Sequence, residues 1–300
     1  MRSKINFQLY SSISPRYIQP LFLQLDPDQW YSSIELRDIL RHNGLHVDGS
    51  DIVTHNINAW TLLKIGERND EIIGKRKINF RINKLGRQLQ ETYSTNQELF
   101  FDLIHFLLYS IWIKSNNPIY GRFWIYTSVC NYLWDHAPCI VDNTNITGML
   151  QLESQLVFPN YQPKFSARSV RTVFPWLGLL TPSFLNKHSG KQNLFSTKRI
   201  SCTPQLFHLA LDLVYNQKLL KYGTSMAIGD EEIRSVCRVC LLEEGQFWEM
   251  ADRTKMILRG VDIRRGQFST SIALEMKPLW IDLPDYSNET EVNDFEGDEE

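Results

Sequence analysis

The sequence predicts a mainly α-helical protein with small β-hairpins. Over most of the chain, apolar residues recur every three or four positions, the period of a helix, while strict alternation is confined to short runs such as residues 77–82. Hydrophobic residues fill 43% of the 300 positions and charged residues 22%. That balance is typical of a globular protein and excludes wholesale disorder or a collagen-like repeat.

Two helices are predicted near the N-terminus, over residues 32–43 and 51–63. The first begins at Ser32, because Glu35 follows three residues later in the pattern of a capping box, and it ends at Asn43-Gly44. The second begins with an aspartate and places its apolar residues at helical spacing.

A β-hairpin and a third helix are predicted after these two helices. Residues 67–74 are rich in turn-forming types, and residues 77–82 alternate polar and apolar side chains. The passage Asn83-Lys84-Leu85-Gly86-Arg87 then begins another helix. Residues 32–89 therefore have the predicted order helix, turn, helix, hairpin, helix.

The middle of the chain predicts a helical hairpin and a fainter repeat of this order. Residues 97–135 form the hairpin, whose many aromatic side chains indicate a packed core or a domain interface. Residues 144–215 contain one helix, a second helix capped by Ser166, a loop rich in Gly, Lys and Asn, and a third helix. Pro175 lies inside the second of these helices, so we expect a kink there.

The stretch from residue 32 to residue 89 resembles the winged helix-turn-helix superfamily. The resemblance rests on the Ser32/Glu35 cap, the helix over residues 51–63, and the passage Ile82-Asn83-Lys84-Leu85-Gly86-Arg87, where Asn83 stands in the place of the usual threonine. It implies that the second helix lies in the major groove of DNA and that the hairpin, or wing, reaches the adjacent backbone. The wider layout resembles uncharacterised bacterial proteins found near DNA-modification and phage-defence genes, which implies a role in antiviral defence.

We therefore expect two winged-helix units joined by an aromatic-rich helical hairpin. The expected segments are an N-terminal winged-helix domain (1–95), the hairpin (96–142), a second winged-helix-like domain (143–222), a C-terminal helical and strand segment (223–283) and a disordered acidic tail (284–300).

Positive charge is concentrated on the predicted wing of the first unit. Residues 64–87 contain eight basic and three acidic residues, a net charge of +5. Phosphate contacts are expected from the wing, and base-edge or phosphate contacts from short polar side chains on the second helix. The candidate DNA-binding residues of this unit are Thr54, His55, Asn58, Lys75, Arg76, Lys77 and Arg81.

The second candidate unit lies in a stretch without acidic residues. From Ser154 to Leu211 there are seven Lys or Arg residues and no Asp or Glu. This charge favours a phosphate backbone as partner, with an anionic protein or the acidic tail as alternatives. The candidate DNA-binding residues of this unit are Arg168, Arg171, Lys191, Lys198 and Arg199.

The last residues of the chain have the opposite charge. After Leu283 there are eight acidic residues and no Lys or Arg, so residues 1–283 carry all 32 basic residues against 26 acidic ones, a formal charge of +6. The acidic tail either competes with DNA phosphates for this basic body or serves solubility alone.

Two groups of residues could carry chemistry but are expected to have structural roles. Cys237 and Cys240 form a lone CxxC, and no second close pair completes a zinc site, so two buried cysteines are expected. Glu98, Asp102 and His105 share one face of a predicted helix, where a hydrogen-bond set between helices is favoured over a metal site. No metal and no cofactor are expected.

The predicted function is binding of double-stranded DNA without catalysis, as a regulator or as the DNA-targeting subunit of a larger complex with other protein subunits. The sequence contains no GxxxxGK[ST], GxGxxG, HExxH or GxSxG motif. Two alternatives stay open: a winged-helix scaffold for protein interactions, and a nuclease-like enzyme with an unrecognised site.

A cytoplasmic location without a membrane partner is expected. The first residues lack the apolar core of a signal peptide, and the longest apolar run, residues 99–113, is too short to cross a bilayer. Five cysteines, an odd number, fit a reducing compartment better than an oxidising one.

Overall fold

Eleven α-helices and nine short β-strands make up the described part of the chain in this computed structural model. The structure describes residues 14–45, 51–71, 77–115, 117–161, 163, 165–187, 193–267, 269–281 and 283–284. The mainly helical class with small hairpins is as predicted. Within these residues, every helix is too short or too polar to cross a membrane. The predicted disorder of the acidic tail concerns positions outside the described residues, apart from residue 284.

The first unit contains the elements predicted for residues 32–89, preceded by a short strand. Its elements are β1 (Tyr31–Ser32), α1 (Ser33–His42), α2 (Asp51–Leu62), β2 (Gly66–Glu71), β3 (Lys77–Ile82) and α3 (Lys84–Thr95). Strand β3 pairs antiparallel with both other strands, so the strand order is β1-β3-β2.

Two side-chain caps explain where helices of this unit begin. The Ser32 hydroxyl oxygen accepts a hydrogen bond from the Glu35 backbone N–H at 3.3 Å, and the Glu35 carboxylate accepts from the Ser32 N–H at 2.7 Å, which confirms the capping box. Asn83 Oδ1 accepts from the Gly86 N–H at 3.1 Å, while Asn83 Nδ2 donates to the Lys64 carbonyl at 2.7 Å. Asn83 therefore caps α3 and also ties it to the loop before β2.

The predicted helical hairpin consists of α4 (Gln97–Ser115) and α5 (Gly121–His136). Side chains on all sides of both helices are buried, as expected for helices at the centre of a core. The Phe100 ring of α4 lies 6.4 Å from the Phe22 ring in the N-terminal region, and the Trp124 ring of α5 lies 5.4 Å from the Phe158 ring. The hairpin therefore packs against both its N-terminal and its C-terminal neighbours in the chain.

The second unit repeats the order of the first. Its elements are β4 (Cys139–Ile140), α6 (Asn143–Val157), α7 (Ala167–Arg171), α8 (Phe174–Leu177), β5 (Leu185–Lys187), β6 (Leu194–Ser196) and α9 (Pro204–Gln217). The strand order is β4-β6-β5. This unit was expected to begin at residue 143, but it begins earlier, at β4, because the pairing of β4 with β6 joins that strand to the unit.

The helix predicted to begin after Ser166 is divided into α7 and α8. Ser166 caps α7, since its hydroxyl accepts from the Arg168 N–H at 3.3 Å. Pro175 lies in the first turn of α8, where a missing N–H leaves no helical hydrogen bond unmade. The expected kink inside one helix is thus wrong: the interruption lies at residues 172–173, before Pro175, which stands at the start of a separate short helix.

A third unit repeats this order as far as its third strand, and no helix is described after that strand. Its elements are β7 (Ser225–Ala227), α10 (Asp230–Cys240), α11 (Phe247–Ile257), β8 (Val261–Arg265) and β9 (Thr270–Leu274). The strand order is β7-β9-β8, so in each of the three sheets the third strand lies between the other two. The segment 223–283, expected only as helices and strands, is therefore a further repeat.

Candidate nucleic-acid interface

Two basic side chains of the first unit that the structure describes have partners on the protein. Arg81 pairs with Glu67 across β2 and β3 at 2.8 Å, and its guanidinium carbon lies 4.7 Å from the centre of the Trp30 ring. Arg68 donates to Asn58 Oδ1 at 2.6 Å. An exposed ion pair is worth at most about 1 kcal/mol, so a phosphate can replace such a partner. The loss of the partner on the protein nevertheless reduces the binding free energy that each DNA contact contributes.

The residues predicted to read bases lie on α2. Thr54, His55 and Asn58 are half-buried there, and the amide oxygen of Asn58 is occupied by Arg68. The predicted wing residues Lys75 and Arg76 lie outside the described residues, and Lys77 is described only as the first residue of β3. The DNA contacts of these side chains stay predictions.

The second unit presents basic side chains without carboxylate partners. Arg168 and Arg171 are exposed on α7, and Lys187 is exposed at the end of β5. None of the three forms an ion pair with another residue that the structure describes. The absence of acidic residues from 154 to 211 contributes to this, and the Glu153 carboxylate of the neighbouring α6 accepts instead from the Ser128 hydroxyl at 3.4 Å. Lys191 lies outside the described residues. We call Arg168, Arg171 and Lys187 the basic surface of the second unit.

Lys198 lies at the edge of this unit, after β6. Its Nζ is 3.9 Å from the centre of the Trp134 ring at the end of α5, within the range of a cation–π contact. The side chain is half-buried and keeps some contact with solvent. Lys198 can therefore approach a phosphate.

No protein-family model and no curated protein sequence matches the chain. A solved structure described as "SspB crystal structure" has a similar fold. The TM-score is 0.59, with 13% sequence identity over 91% of this chain and 83% of that chain. At this identity the likeness concerns the fold alone.

The expectation that Arg199 contacts DNA is wrong. Its side chain is 0% exposed and forms an ion pair with the equally buried Asp102 at 2.9 Å. It also donates hydrogen bonds to the carbonyls of Thr181 at 2.6 Å and Cys240 at 3.3 Å. Burial acts to lower the pKa of Arg199, but the Asp102 carboxylate and other neighbours outweigh it and the pKa is raised. Arg199 is thus a buried cation that joins α4, the second unit and α10.

Asp102 and His105 belong to the hydrogen-bond set predicted between helices. The Asp102 carboxylate accepts from the backbone N–H and the hydroxyl of Thr203 at 2.9 and 2.8 Å. His105 Nε2 donates to the Val239 carbonyl at 2.8 Å, so its Nδ1 accepts from the Tyr126 hydroxyl at 2.9 Å. Burial lowers the pKa of His105 to about 3, which keeps the ring neutral.

The cysteines of the CxxC are buried, as predicted. Cys237 and Cys240 are free thiols at the end of α10, and burial raises the pKa of both. In the described ranges, no three His, Cys, Asp or Glu side chains are grouped so as to hold a metal ion.

Arg234 and Arg238 are candidate residues that sequence reasoning missed. They lie four residues apart on α10 and therefore on one helix face, close to Lys198 and Trp134. Their spacing was the available signal, but only the packing of α10 against α5 places them beside the second unit.

Proposed function

We propose that this protein binds double-stranded DNA without catalysing a reaction, as a regulator or as the DNA-targeting subunit of a larger complex, such as one for phage defence. The observation that carries the proposal is the basic surface of the second unit. Its side chains are exposed and form no ion pairs with the described residues, so a phosphate backbone can bind there without displacing a carboxylate.

The elements that carry this surface suit a winged-helix mode of binding. In that mode α7 is the helix that enters the major groove, and the β5–β6 hairpin lies beside the backbone. Arg168 and Arg171 are three residues apart and share a face of α7. Because α7 has only five residues, it offers few side chains to base edges. We therefore expect phosphate contacts to dominate and sequence preference to be low.

A duplex is favoured over a single strand because few aromatic side chains are exposed. Proteins that bind single strands stack bases on exposed rings. In the described part of the chain, Trp30 and Tyr222 are the most exposed aromatic side chains, at 38% and 40%. Trp30 is covered by Arg81, and the Tyr222 hydroxyl donates to Asp212 at 2.8 Å. No stacking platform accompanies the basic surface among the residues described.

The test is a titration of a labelled random-sequence duplex, followed by fluorescence anisotropy from ~50 to ~200 mM salt. The logarithm of the association constant should fall linearly with that of the salt concentration, with a slope of about −0.9 per phosphate contacted. The double variant Arg168→Gln/Arg171→Gln should bind more weakly and lower the slope by nearly two units.

The matched control is Arg41→Gln/Arg264→Gln, which removes the same charge from two exposed arginines that are each paired with an aspartate. This control should lose much less affinity. Equal losses in both double variants, or no binding of the wild type at low salt, would overturn the proposal.

A second candidate function, a scaffold for protein interactions, is favoured by one exposed apolar face. Met149, Leu152 and Leu156 succeed each other along one side of α6 and are 50%, 62% and 82% exposed. Glu153 lies on the same side, where its carboxylate accepts from the Ser128 hydroxyl at 3.4 Å, and Asn145 and Gln155 are uncharged. A mainly apolar face can pack against a copy of itself, so the occupant it fits is α6 of a second copy of this chain.

Sedimentation velocity tests this second candidate. Leu152→Glu should abolish self-association that the wild type shows, while the control Leu279→Glu, at a residue 68% exposed outside α6, should leave it unchanged. A wild type that stays monomeric at every concentration would remove this candidate.

A further inference from the structure

Three basic side chains converge on the ring of Trp134, where the second and third units meet. The Nζ of Lys198 lies 3.9 Å from the ring centre, and the guanidinium carbons of Arg238 and Arg234 lie at 5.3 and 5.7 Å. The ring itself is buried, and its Nε1 donates to the Leu242 carbonyl at 2.8 Å. The indole is therefore held in place and the three cations cover it. We call these three side chains with Trp134 the Trp134 cluster.

The charges of the Trp134 cluster do not balance. Its one carboxylate belongs to Asp135, whose Oδ1 accepts from Arg238 at 2.7 Å and from Arg234 at 3.1 Å. Three cations share this one paired carboxylate, while Glu243 and Glu244, which follow α10 beside the Lys198 segment, form no ion pair with them among the described contacts. Asp230 and Glu231, one turn earlier on α10, form no ion pair with either arginine among the described contacts. All three cations lie within 6 Å of one point, so their mutual repulsion is only partly screened at a Debye length of ~8–10 Å.

Backbone pairing keeps the cluster beside the second unit. The Arg199 N–H donates to the Leu241 carbonyl, and the Glu243 N–H donates to the Arg199 carbonyl, both at 2.8 Å. These bonds hold the end of α10 against the segment that carries Lys198. The cluster is thus connected through backbone hydrogen bonds to the unit that carries the basic surface.

We infer that Lys198, Arg234 and Arg238 form a second contact site for the phosphate backbone of duplex DNA. The inference rests on the proposed function and extends it, because the duplex would lie across the second and third units and not on one wing alone. Repulsion among fixed cations is relieved when an anion binds between them, and guanidinium groups match the geometry of phosphate oxygens. Such a contact positions the duplex and carries no sequence information.

Arg234→Gln and its matched control Arg265→Gln test this site. Both arginines are 57% exposed, each pairs with one aspartate, and each lies over a tryptophan ring, at 5.7 and 6.0 Å. They differ in that Asp252 pairs with Arg265, whereas Asp135 is shared by Arg234 and Arg238. Arg234→Gln should weaken binding of the random duplex about tenfold near ~50 mM salt and make the salt slope shallower by about 0.9. Arg265→Gln should change both much less.

Asp135→Asn provides the converse variant, because it removes the one carboxylate of the cluster. Binding should become tighter and its salt dependence steeper. Wild-type binding with equal effects of Arg234→Gln and Arg265→Gln would overturn this inference and leave the proposed function standing, whereas failure of the wild type to bind would overturn both. Urea unfolding shows whether each variant is folded; should Arg234→Gln be unstable, unchanged affinity of Asp135→Asn overturns the inference.

Discussion

Replacing Arg199 by methionine should destabilise the protein strongly without a direct effect on DNA binding. The change leaves Asp102 charged in a place where both side chains of the pair are 0% exposed, with Thr203 as its remaining hydrogen-bond donor. The carbonyls of Thr181 and Cys240 lose a donor as well. Removing one partner of a buried pair costs about 3–5 kcal/mol, against at most about 1 kcal/mol for an exposed pair. A loss near 4 kcal/mol corresponds to a fall in Tm of about 10 °C for a chain of this size.

Urea unfolding followed by circular dichroism measures this cost. Arg41→Met, which breaks an exposed pair, is the control and should shift the midpoint little. Asp102→Asn/Arg199→Met should be more stable than Arg199→Met, because the second change removes the uncompensated charge. At a temperature where it is fully folded, Arg199→Met should bind duplex DNA as the wild type does.

Two results would refute this reasoning. A loss of stability below about 1 kcal/mol would mean that Arg199 behaves as a surface residue. A selective loss of DNA affinity at unchanged stability would mean that its side chain reaches the phosphate backbone.

Three other perturbations have defined outcomes. Burial lowers the pKa of His105 to about 3 and of His208 to about 4, so the unfolded state, with a His pKa of 6.5, binds more protons. Stability should therefore fall by about 3 kcal/mol for each histidine as the pH drops from about 6.5 to 4, and His208→Leu should remove part of this dependence. Urea midpoints between ~pH 7 and ~pH 4.5 measure the change, and a flat wild-type profile would contradict it. A Cβ on Gly86 would lie 2.2 Å from a backbone oxygen, whereas one on Gly148 would meet nothing within 4 Å. Gly86→Ala should thus lower the free energy of unfolding by about 1–3 kcal/mol, whereas Gly148→Ala, within α6, should raise it by about 1 kcal/mol. The same urea assay measures both, and the reverse order would show that the close approach at Gly86 is absent. Truncation after Leu283 changes the formal charge from −2 to +6 and should raise duplex affinity at ~50 mM salt, with a smaller gain at higher salt. A protein whose tail sequence is scrambled should behave like the wild type. Equal affinities of the full-length and truncated proteins would exclude competition by the tail.

Elements that depend on neighbouring residues could be predicted from the sequence. The capping box of Ser32 and Glu35 and the cap at Ser166 each involve partners within three residues, so their sequence spacing is enough to identify them. The helical hairpin predicted over residues 97–135 is observed as α4 and α5, which together extend from residue 97 to residue 136, because its apolar runs are long.

The sequence predicted the basic character of the candidate site but only some of its residues. The stretch without acidic residues identified the second unit, and Arg168 and Arg171 are exposed there as a DNA contact requires. Lys198 and Arg199 are adjacent and equally basic, yet one covers a tryptophan ring and the other is buried against Asp102. Charge counts along the chain cannot separate them, because the partner that makes the difference lies 97 positions away.

The helical class, the helix caps and the uneven distribution of charge depend on residue type and short spacing, so the amino-acid sequence was enough to establish them. The third repeat emerged only from the tertiary structure, since β7 has three residues and is recognisable only through its pairing with β9. Tertiary packing also determines which cations stay available to a partner. Arg199 is neutralised inside the core by a carboxylate on α4, whereas Arg234 and Arg238 come to share one carboxylate when α10 packs against α5. Such contacts join residues about a hundred positions apart, and no local pattern in the chain encodes them.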